Sequence, residues 1–403
     1  MAVGDVVFPK EEDKYKVDAN EVIHMKLVRT AEDVKNESNA FQPEMSHQVF
    51  GDTESIFGYN GLHVKLYYHA GSLLTYLGME YKGKVPDSLG IEADKVLPNI
   101  AEILAPGYCT NLDEFVAKLP GESKFTPMGT KIHSYKVKDT EYEIYQVDIS
   151  VPGFREYHER LQTFILWYID AASFIDVDDE KWNFFLLFQK QKGPTAGYEY
   201  NICGYMTVYH YYAYPTNTRP RISQMLILPP YQKCGHGAEL LQTVYNFYQP
   251  KEKVIDITVE DPSEDFIRLR DYVDCQRCIS LPAFTPDNLI NGFSDSMATE
   301  ARQKFKISKL QARRVYEILR LNVTNTGDPE QYRNYRLDIK KRLNAPLKKE
   351  ARYLTKLQSA LSEEEFKAAM FNLSGTEKMK RLEEAFKLLE ADYRRVLHRL
   401  ATA

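Results

Sequence analysis

Cysteine is scarce in this chain: five residues in 403, an odd number. That argues against a disulfide framework and for a reducing compartment. Only Cys275 and Cys278 form a close pair, and no second pair completes a zinc site; Cys109, Cys203 and Cys234 stand alone. One helical turn separates the pair, which suits packing, so no metal is expected. Long apolar runs are missing too. None approaches the ~18 residues that span a bilayer, so no membrane association is expected. The opening stretch MAVGDVVFPKEEDKYKVDAN lacks an apolar core followed by a small-residue cleavage site, and no secretory signal is expected. Internal repeats and low-complexity tracts are absent as well.

What remains is a globular composition, 43% hydrophobic and 27% charged, in a chain long enough for two or three domains. Charge is divided unevenly. Residues 301–403 carry 24 Lys+Arg against 13 Asp+Glu, a net of +11, and residues 1–300 carry a net of −16. An acidic body steers a basic substrate toward itself. The basic tail has acidic residues interleaved, which suits a solvated helical face better than nucleic acid, so no direct nucleic-acid binding is expected.

Periodicity divides the chain into three blocks. Up to residue 125 the pattern is mixed α+β, with strands over Val22 to Val28 and Leu62 to Tyr68 and short helices over Ala93 to Leu104 and Asn111 to Leu119. The breaker-rich PGESKFTPMG, Pro120 to Gly129, marks a boundary. Residues 126–262 read as an α/β core. Strands are expected over Lys131 to Val137, Tyr142 to Ile149, Trp182 to Phe188, Cys203 to Tyr214, Ile222 to Leu228 and Val254 to Val259. One long helix is expected over Gly153 to Ala172, with an apolar stripe at Tyr157, Leu161, Phe164, Ile165 and Tyr168. Residues 263–403 read as all-helical, with helices over Asp265 to Gln276, Asp287 to Lys304, Lys309 to Leu321, Pro329 to Leu343 and Glu377 to Leu400.

The stretch YQKCGHGAEL, Tyr231 to Leu240, joins the fifth strand of that core to a helix with apolar positions Leu240, Leu241, Val244, Tyr245 and Tyr248. Glycine turns opening a helix suit phosphates, because free amides and the helix dipole favour an anion. A dinucleotide fingerprint needs a third glycine where Leu240 stands, and the triphosphate loop G-x-x-x-x-G-K-[ST] is absent. The pattern Q/R-x-x-G-x-G/A does fit, at Gln232 to Gly237, and a diphosphate is a suitable guest. The strand before it ends in Pro229-Pro230, where ladder pairing stops and backbone groups become available to an extended ligand.

Strand, splayed end, glycine turn, helix, strand resembles the coenzyme A site of the GCN5-related N-acetyltransferase superfamily. Longer runs narrow the resemblance. RLQTFILWYIDAASFIDVDDEKW (Arg160 to Trp182), GYMTVYHYYAYP (Gly204 to Pro215), RPRISQMLILPPYQKCGHGAELLQTV (Arg219 to Val244) and DITVEDPSEDFIRLRDYV (Asp256 to Val273) are similar to the type B histone acetyltransferase family. GDTESIFGYNGLHVKLYYHAGSL (Gly51 to Leu73) and ARRVYEILRLNVT (Ala312 to Thr324) extend the match to most of the chain. The implied fold is a mixed sheet flanked by helices, with a mixed α+β N-terminal domain and an all-helical C-terminal region.

The implied reaction is direct acetyl transfer from acetyl-CoA, a cosubstrate, to lysines in the N-terminal tail of newly made histone H4. A lysine amine has a pKa near ~10.4, so a base is required. The base should be a carboxylate closing the strand beside the cofactor strand. The resemblance places it at Glu260, with Asp261 and Asp170 as further carboxylates. Burial among aromatics would raise such a pKa. For Asp261 a helix-capping role in D-P-S-E is the competing reading. Asp170 is expected in the last turn of the long helix, where a surface role competes.

Backbone groups of Met225, Leu226 and Ile227 should pair with the pantetheine arm. Gln232, Lys233, Cys234, Gly235, His236, Gly237 and Ala238 should hold the diphosphate. His236 and Cys234 read as backbone placements rather than chemical groups. By resemblance, Asp52, Glu54, Trp182, Tyr209, His210 and Tyr211 contact the H4 tail; for the two tyrosines, packing is the competing reading. The acidic run Asp176, Asp178, Asp179 and Glu180 has the same electrostatic logic, or is a solvated turn. A WD40-repeat histone chaperone as partner, and action in nucleus and cytoplasm, come with the resemblance. Two other readings stay open. One is the same fold acting on a polyamine or another basic protein. The other is a non-catalytic histone escort.

Overall fold

The structure is a computed structural model that describes residues 13–193, 197–357, 362 and 375–402. The opening stretch examined for a signal falls mostly outside them. Two compact units emerge: Met1–His210 with Ile222–Thr243, and Tyr211–Arg221 with Val244–Ala403.

The first unit begins with short elements: β1 (Lys16–Asp18), α1 (Ala19–Val22), β2 (Ile23–Val28), α2 (Ala31–Lys35) and α3 (His47–Phe50). Then come β3 (Ser55–Phe57), β4 (Tyr59–Asn60), β5 (His63–His69), β6 (Thr75–Glu80) and β7 (Gly83–Lys84). β2 and β5 pair in parallel, Ile23 opposite Val64, and β6 completes this sheet antiparallel to β5. Helices α4 (Val96–Ala101) and α5 (Leu112–Glu122) follow, the latter capped by Asn111, whose side chain accepts from the Glu114 amide. α5 runs through Pro120, which the sequence marks as a breaker; near the C-terminal end of a helix its missing N–H does little harm.

The larger sheet holds β8 (Thr130–Val137), β9 (Thr140–Val147), β10 (Trp182–Lys192), β11 (Tyr198–Ala213) and β12 (Asn217–Ile227), in the order β12-β11-β10-β9-β8. β10 is antiparallel to both neighbours. Its apolar run Phe184 to Phe188 is fully buried, as a central strand requires. One core joins this sheet to the N-terminal block, with Met25, Leu66, Trp167, Phe184, Tyr205 and Leu226 among its members.

The single helix expected over Gly153 to Ala172 is three pieces: α6 (Phe154–Leu161), a 3₁₀ turn at Gln162–Phe164, and α7 (Ile165–Tyr168). Thr163 Oγ1 bonds the Arg160 carbonyl at 2.8 Å, a local side-chain bond that accompanies the tightening. Ile169 is already extended, so Asp170 lies beyond the helix rather than in its last turn. The stripe Tyr157, Leu161, Phe164, Ile165 and Tyr168 is buried throughout.

The second unit holds the N-terminal half of β12, paired with β13 (Thr258–Val259). The strand expected over Val254 to Val259 shrinks to those two residues. Its backbone changes partner along the way: Val254 bridges Thr218, and Ile257 bridges Ile307. Helix α8 (His236–Tyr248) runs from the first unit into the second. Then follow α9 (Glu264–Cys278), α10 (Pro286–Asn291), α11 (Asp295–Phe305), α12 (Lys309–Val323), α13 (Pro329–Leu357) and α14 (Gly375–Thr402). The helix expected over Asp287 to Lys304 is two, because Gly292 at φ +115° cannot continue a helix and Ser294 caps the next one. Cys275 and Cys278 are both buried in α9.

Buried charge organises this unit. Glu317, fully buried, accepts from Arg313 at 2.9 Å, Arg342 at 2.6 Å and the Tyr393 hydroxyl at 2.8 Å. Asp274 is less well served, with Arg270 Nε 3.4 Å from Oδ2. Burial pushes its pKa up to about 6 from the ordinary 3.8, against the pull of Arg270. Folding therefore takes up a proton here between about pH 4 and 6. The carboxyl costs nothing below pH 4 and destabilises as pH rises through 6. Asp274→Asn is expected to raise the unfolding free energy at pH 8 by about 2 kcal/mol, with the gain fading by pH 4. Denaturant titrations at both pH values check this.

Candidate active site

In the first unit, β11 and β12 meet closely. A Cβ added at Gly204 would lie 2.5 Å from the Leu226 carbonyl oxygen and 3.0 Å from Ile227 Cα. Beside it, β11 carries a bulge: Gly204 faces Leu187 and Ile202 faces Phe188, leaving Cys203 without a β10 partner. The Cys203 carbonyl accepts instead from the Leu228 amide at 2.8 Å. β12 then ends in a 3₁₀ turn, Pro229–Tyr231.

Gln232 turns its side chain inward. Its Nε2 donates to the Ile227 carbonyl at 2.9 Å, tying the glycine turn to the end of β12. Lys233 at φ +59° and Gly235 at φ +87° reverse the chain into α8. Among the described residues, the amides of Lys233, Cys234, Gly235, His236 and Gly237 donate to no protein acceptor. The next two, from Ala238 and Glu239, reach the Gly235 carbonyl at 3.0 and 3.2 Å. Five successive unclaimed amides at a helix start fit a diphosphate. His236 is buried, with Nδ1 2.7 Å from the Tyr135 hydroxyl and its ring 4.3 Å from that of Tyr142. Burial lowers its pKa, so it stays neutral near pH 7. It anchors the turn by packing, while Cys234 is exposed.

Trp182 and Tyr209 are register partners on β10 and β11, with ring centroids 4.9 Å apart and edge to face. The Tyr209 hydroxyl donates to Asp179 at 2.7 Å, and Lys181 Nζ sits 5.8 Å from the Tyr209 ring. The His210 amide bonds the Lys181 carbonyl at 3.1 Å. So the acidic turn docks on the aromatic pair, and Asp179 is held there by the Lys181 amide and Tyr209. Asp52 and Asp170 are exposed and Glu54 is half-buried. Glu54 and Asp170 approach the same side chain, His47.

In the second unit, Glu260 and Asp261 follow β13 directly, and both are exposed; the burial expected to raise a carboxylate pKa is not found around them. Asp261 does not cap α9. Ser263 does, accepting from the Phe266 amide at 3.2 Å. Asp261 instead stands at φ +28°, a costly conformation for a residue with a Cβ. The segment leading to it is gripped at Ile257: the amide donates to the Lys306 carbonyl at 2.8 Å, and the carbonyl accepts from Arg270 Nη2 at 3.0 Å. One residue earlier, Asp256 pairs with Arg219. Tyr211, exposed, lies 4.5 Å from the Arg221 guanidinium, so its ring already faces a cation.

Comparison with known proteins bears on the family. Residues 15–170 match the family model described as histone acetyl transferase HAT1 N-terminus, and residues 270–321 match that of the histone acetyltransferase type B catalytic subunit, C-terminal. The human histone acetyltransferase type B catalytic subunit is 50% identical over 395 residues, covering 96% of this chain and 94% of the human one. The mouse protein is 50% identical over 96% of this chain and 95% of its own length. The chain belongs to the histone acetyltransferase type B catalytic subunit family. It is an acetyltransferase. A relative from Dictyostelium discoideum is 35% identical over 81% of this chain and 75% of its own length. Among solved structures, an aminoglycoside acetyltransferase from a soil metagenomic sample in complex with trehalose is 15% identical. It covers 35% of this chain and 88% of its own, at TM-score 0.25, too slight a likeness to carry a reading.

For this type B family member, three site features escaped the sequence reading. Gly204 had a usable signal, a lone glycine inside an apolar strand. His47 and Arg270 had none, since each reaches its target through the fold and not through local pattern. Among the described residues no group of three or more His, Cys, Asp or Glu is placed to hold a metal, and no helix is long and apolar enough to cross a membrane.

Proposed function

We propose that this acetyltransferase moves acetyl from acetyl-CoA directly to lysine ε-amines in the N-terminal tail of newly synthesised histone H4, with Glu260 as general base. The observation that carries the cosubstrate reading is the run of five unclaimed amides from Lys233 to Gly237 behind β12. Acetyl-CoA brings an activated thioester. The amides of residues 233–237 take its diphosphate, and backbone groups of Met225, Leu226 and Ile227 take the pantetheine arm as an added strand would be taken. Gln232 positions that turn through its bond to Ile227, and Ala238 lies in the first turn of α8, its amide on the Gly235 carbonyl. One β12 amide polarises the thioester carbonyl.

Glu260 removes the proton from the incoming ammonium, and Asp261 and Asp170 are further carboxylates of the reaction. Their exposure leaves desolvation to the bound substrates. Asp52, Glu54, Trp182, Tyr209, His210 and Tyr211 line the course of a basic peptide, carboxylates meeting its charges and rings its aliphatic stems. The net of −16 over residues 1–300 favours such a partner. A WD40-repeat histone chaperone, and work in both nucleus and cytoplasm, belong to the same reading.

The test is transfer of labelled acetyl from coenzyme A to an H4 tail peptide, with spermidine as competitor. Turnover of the peptide at least tenfold above spermidine, in kcat/KM, is the expected result. Preference for the polyamine would overturn the substrate reading, and tight peptide binding without turnover would leave a histone escort.

A further inference from the structure

Two histidines meet on the three-stranded sheet of the first unit. His24 on β2 and His63 on β5 bring Nε2 and Nδ1 to 3.2 Å, with ring centroids 5.2 Å apart and planes tilted by 31°. The strand register produces this meeting. His24 is the partner of Lys65, which lies two residues along β5 from His63, and residues two apart on a strand share a face. His24, His63 and Lys65 therefore stand on one side of the sheet, and so does Glu80, the partner of His63 on β6. His63 is exposed and His24 half-buried, so the pair opens to solvent.

A hydrogen bond between the rings uses one proton: one nitrogen gives its N–H and the other accepts. The same two nitrogens suit a metal ion. Zinc holds imidazole nitrogens at about 2.0–2.1 Å in a tetrahedral shell, which puts two of them about 3.3 Å apart. The 3.2 Å between His24 and His63 meets that spacing without movement of either strand. Both nitrogens would then face the ion with lone pairs, and the N–H at the contact would pass to the other nitrogen of its own ring. The lysines of β2 and β5 on this face are each matched by a carboxylate, Lys26 by Glu37 at 3.0 Å and Lys65 by Glu80 at 2.5 Å.

We propose that His24 and His63 form a binding site for one divalent transition ion of the kind that prefers imidazole, with zinc as the type case and water completing its shell. Glu80 can add a third ligand only by leaving Lys65. The ion clips β2 to β5, which are neighbours in the sheet and far apart in sequence, and so stabilises the N-terminal block. None of the residues proposed for acetyl transfer lies on β2 or β5, and the ion takes no part in that reaction.

Calorimetric titration of Zn²⁺ into the full chain, stripped of metal with a chelator beforehand, tests this. One ion per chain at micromolar affinity is expected, with no binding of Mg²⁺, which prefers oxygen ligands. His24→Ala and His63→Ala should each weaken zinc binding by about tenfold or more. His63→Gln keeps a hydrogen-bonding side chain and removes the metal ligand, while His63→Cys keeps a ligand; only His63→Cys should retain the parent's affinity. Zinc should also raise the melting temperature of the parent and leave that of His63→Ala where it was. Should His24→Ala fail to fold, the exposed His63 carries the test alone.

Zinc held equally by the parent, His24→Ala and His63→Ala sits elsewhere and overturns the proposal. So does loss of binding in Cys234→Ser, which removes an exposed thiol. A parent that takes up no zinc overturns it as well, and leaves the two rings a hydrogen-bonded pair.

Discussion

Replacing Glu260 by Gln is expected to lower turnover of an H4 tail peptide by about 10²- to 10⁴-fold, with acetyl-CoA affinity within about twofold of the parent. The amide keeps the shape and removes the proton acceptor. Cofactor binding should survive, because the amides of residues 233–237 and the backbone of β12 do not involve Glu260. The variant should also fold normally, since Glu260 is exposed and the cap of α9 is Ser263. Parallel measurement of labelled acetyl transfer and of coenzyme A binding by calorimetry separates chemistry from affinity. Unchanged turnover removes Glu260 as base and transfers the role to Asp261 or Asp170. Asp261 would be the first to examine, because its positive φ is maintained in the folded chain at a cost.

Gly204→Ala is the second large effect expected. The added methyl would meet the Leu226 carbonyl at 2.5 Å and Ile227 Cα at 3.0 Å. Both are backbone atoms of a paired strand and cannot step aside as a side-chain tip would. β12 must move away from β11 at the residues proposed to pair with pantetheine. Overpacking of this kind costs about 1–3 kcal/mol in stability. Since ~1.4 kcal/mol is tenfold in affinity, coenzyme A binding should weaken by about tenfold or more. Denaturant midpoint and calorimetric affinity together check this. Loss of stability at parent affinity would mean that the close approach serves the sheet and not the cofactor.

Strands and helices were legible wherever one period persisted. Phe184 to Phe188 and the stripe through Tyr157, Leu161 and Tyr168 are buried as their spacing demands. The glycine turn was legible for a similar reason: the chemistry of Gly235 and of the free amides is local. Reading failed where tertiary partners decide. Val254 to Val259 has strand composition, yet its backbone pairs first with Thr218 and then with Ile307, so the ladder is confined to Thr258–Val259. Gly292 sits inside a helical pattern and still stops it, by its dihedral. The bonds that Glu54 accepts from Ser46, His47 and Asn20 were not legible either, because they come from the fold and not from local pattern. The ring of His47 between Glu54 and Asp170 is a meeting of segments far apart in the chain, with no local signature.

The grip on Ile257 has a consequence for how such a protein can change. Its amide and carbonyl are both held by the helical unit, through Lys306 and Arg270, three residues before Glu260. The cofactor turn draws its bonds from β12 and from Tyr135. On the proposed reading, the two competences are therefore separately heritable. Drift among residues 264–320 bears first on proton removal, and reaches the cofactor turn only through the far end of α8, where Arg270 meets Tyr245. A chain cut before α9 would keep Glu260 but lose both bonds that hold the segment leading to it.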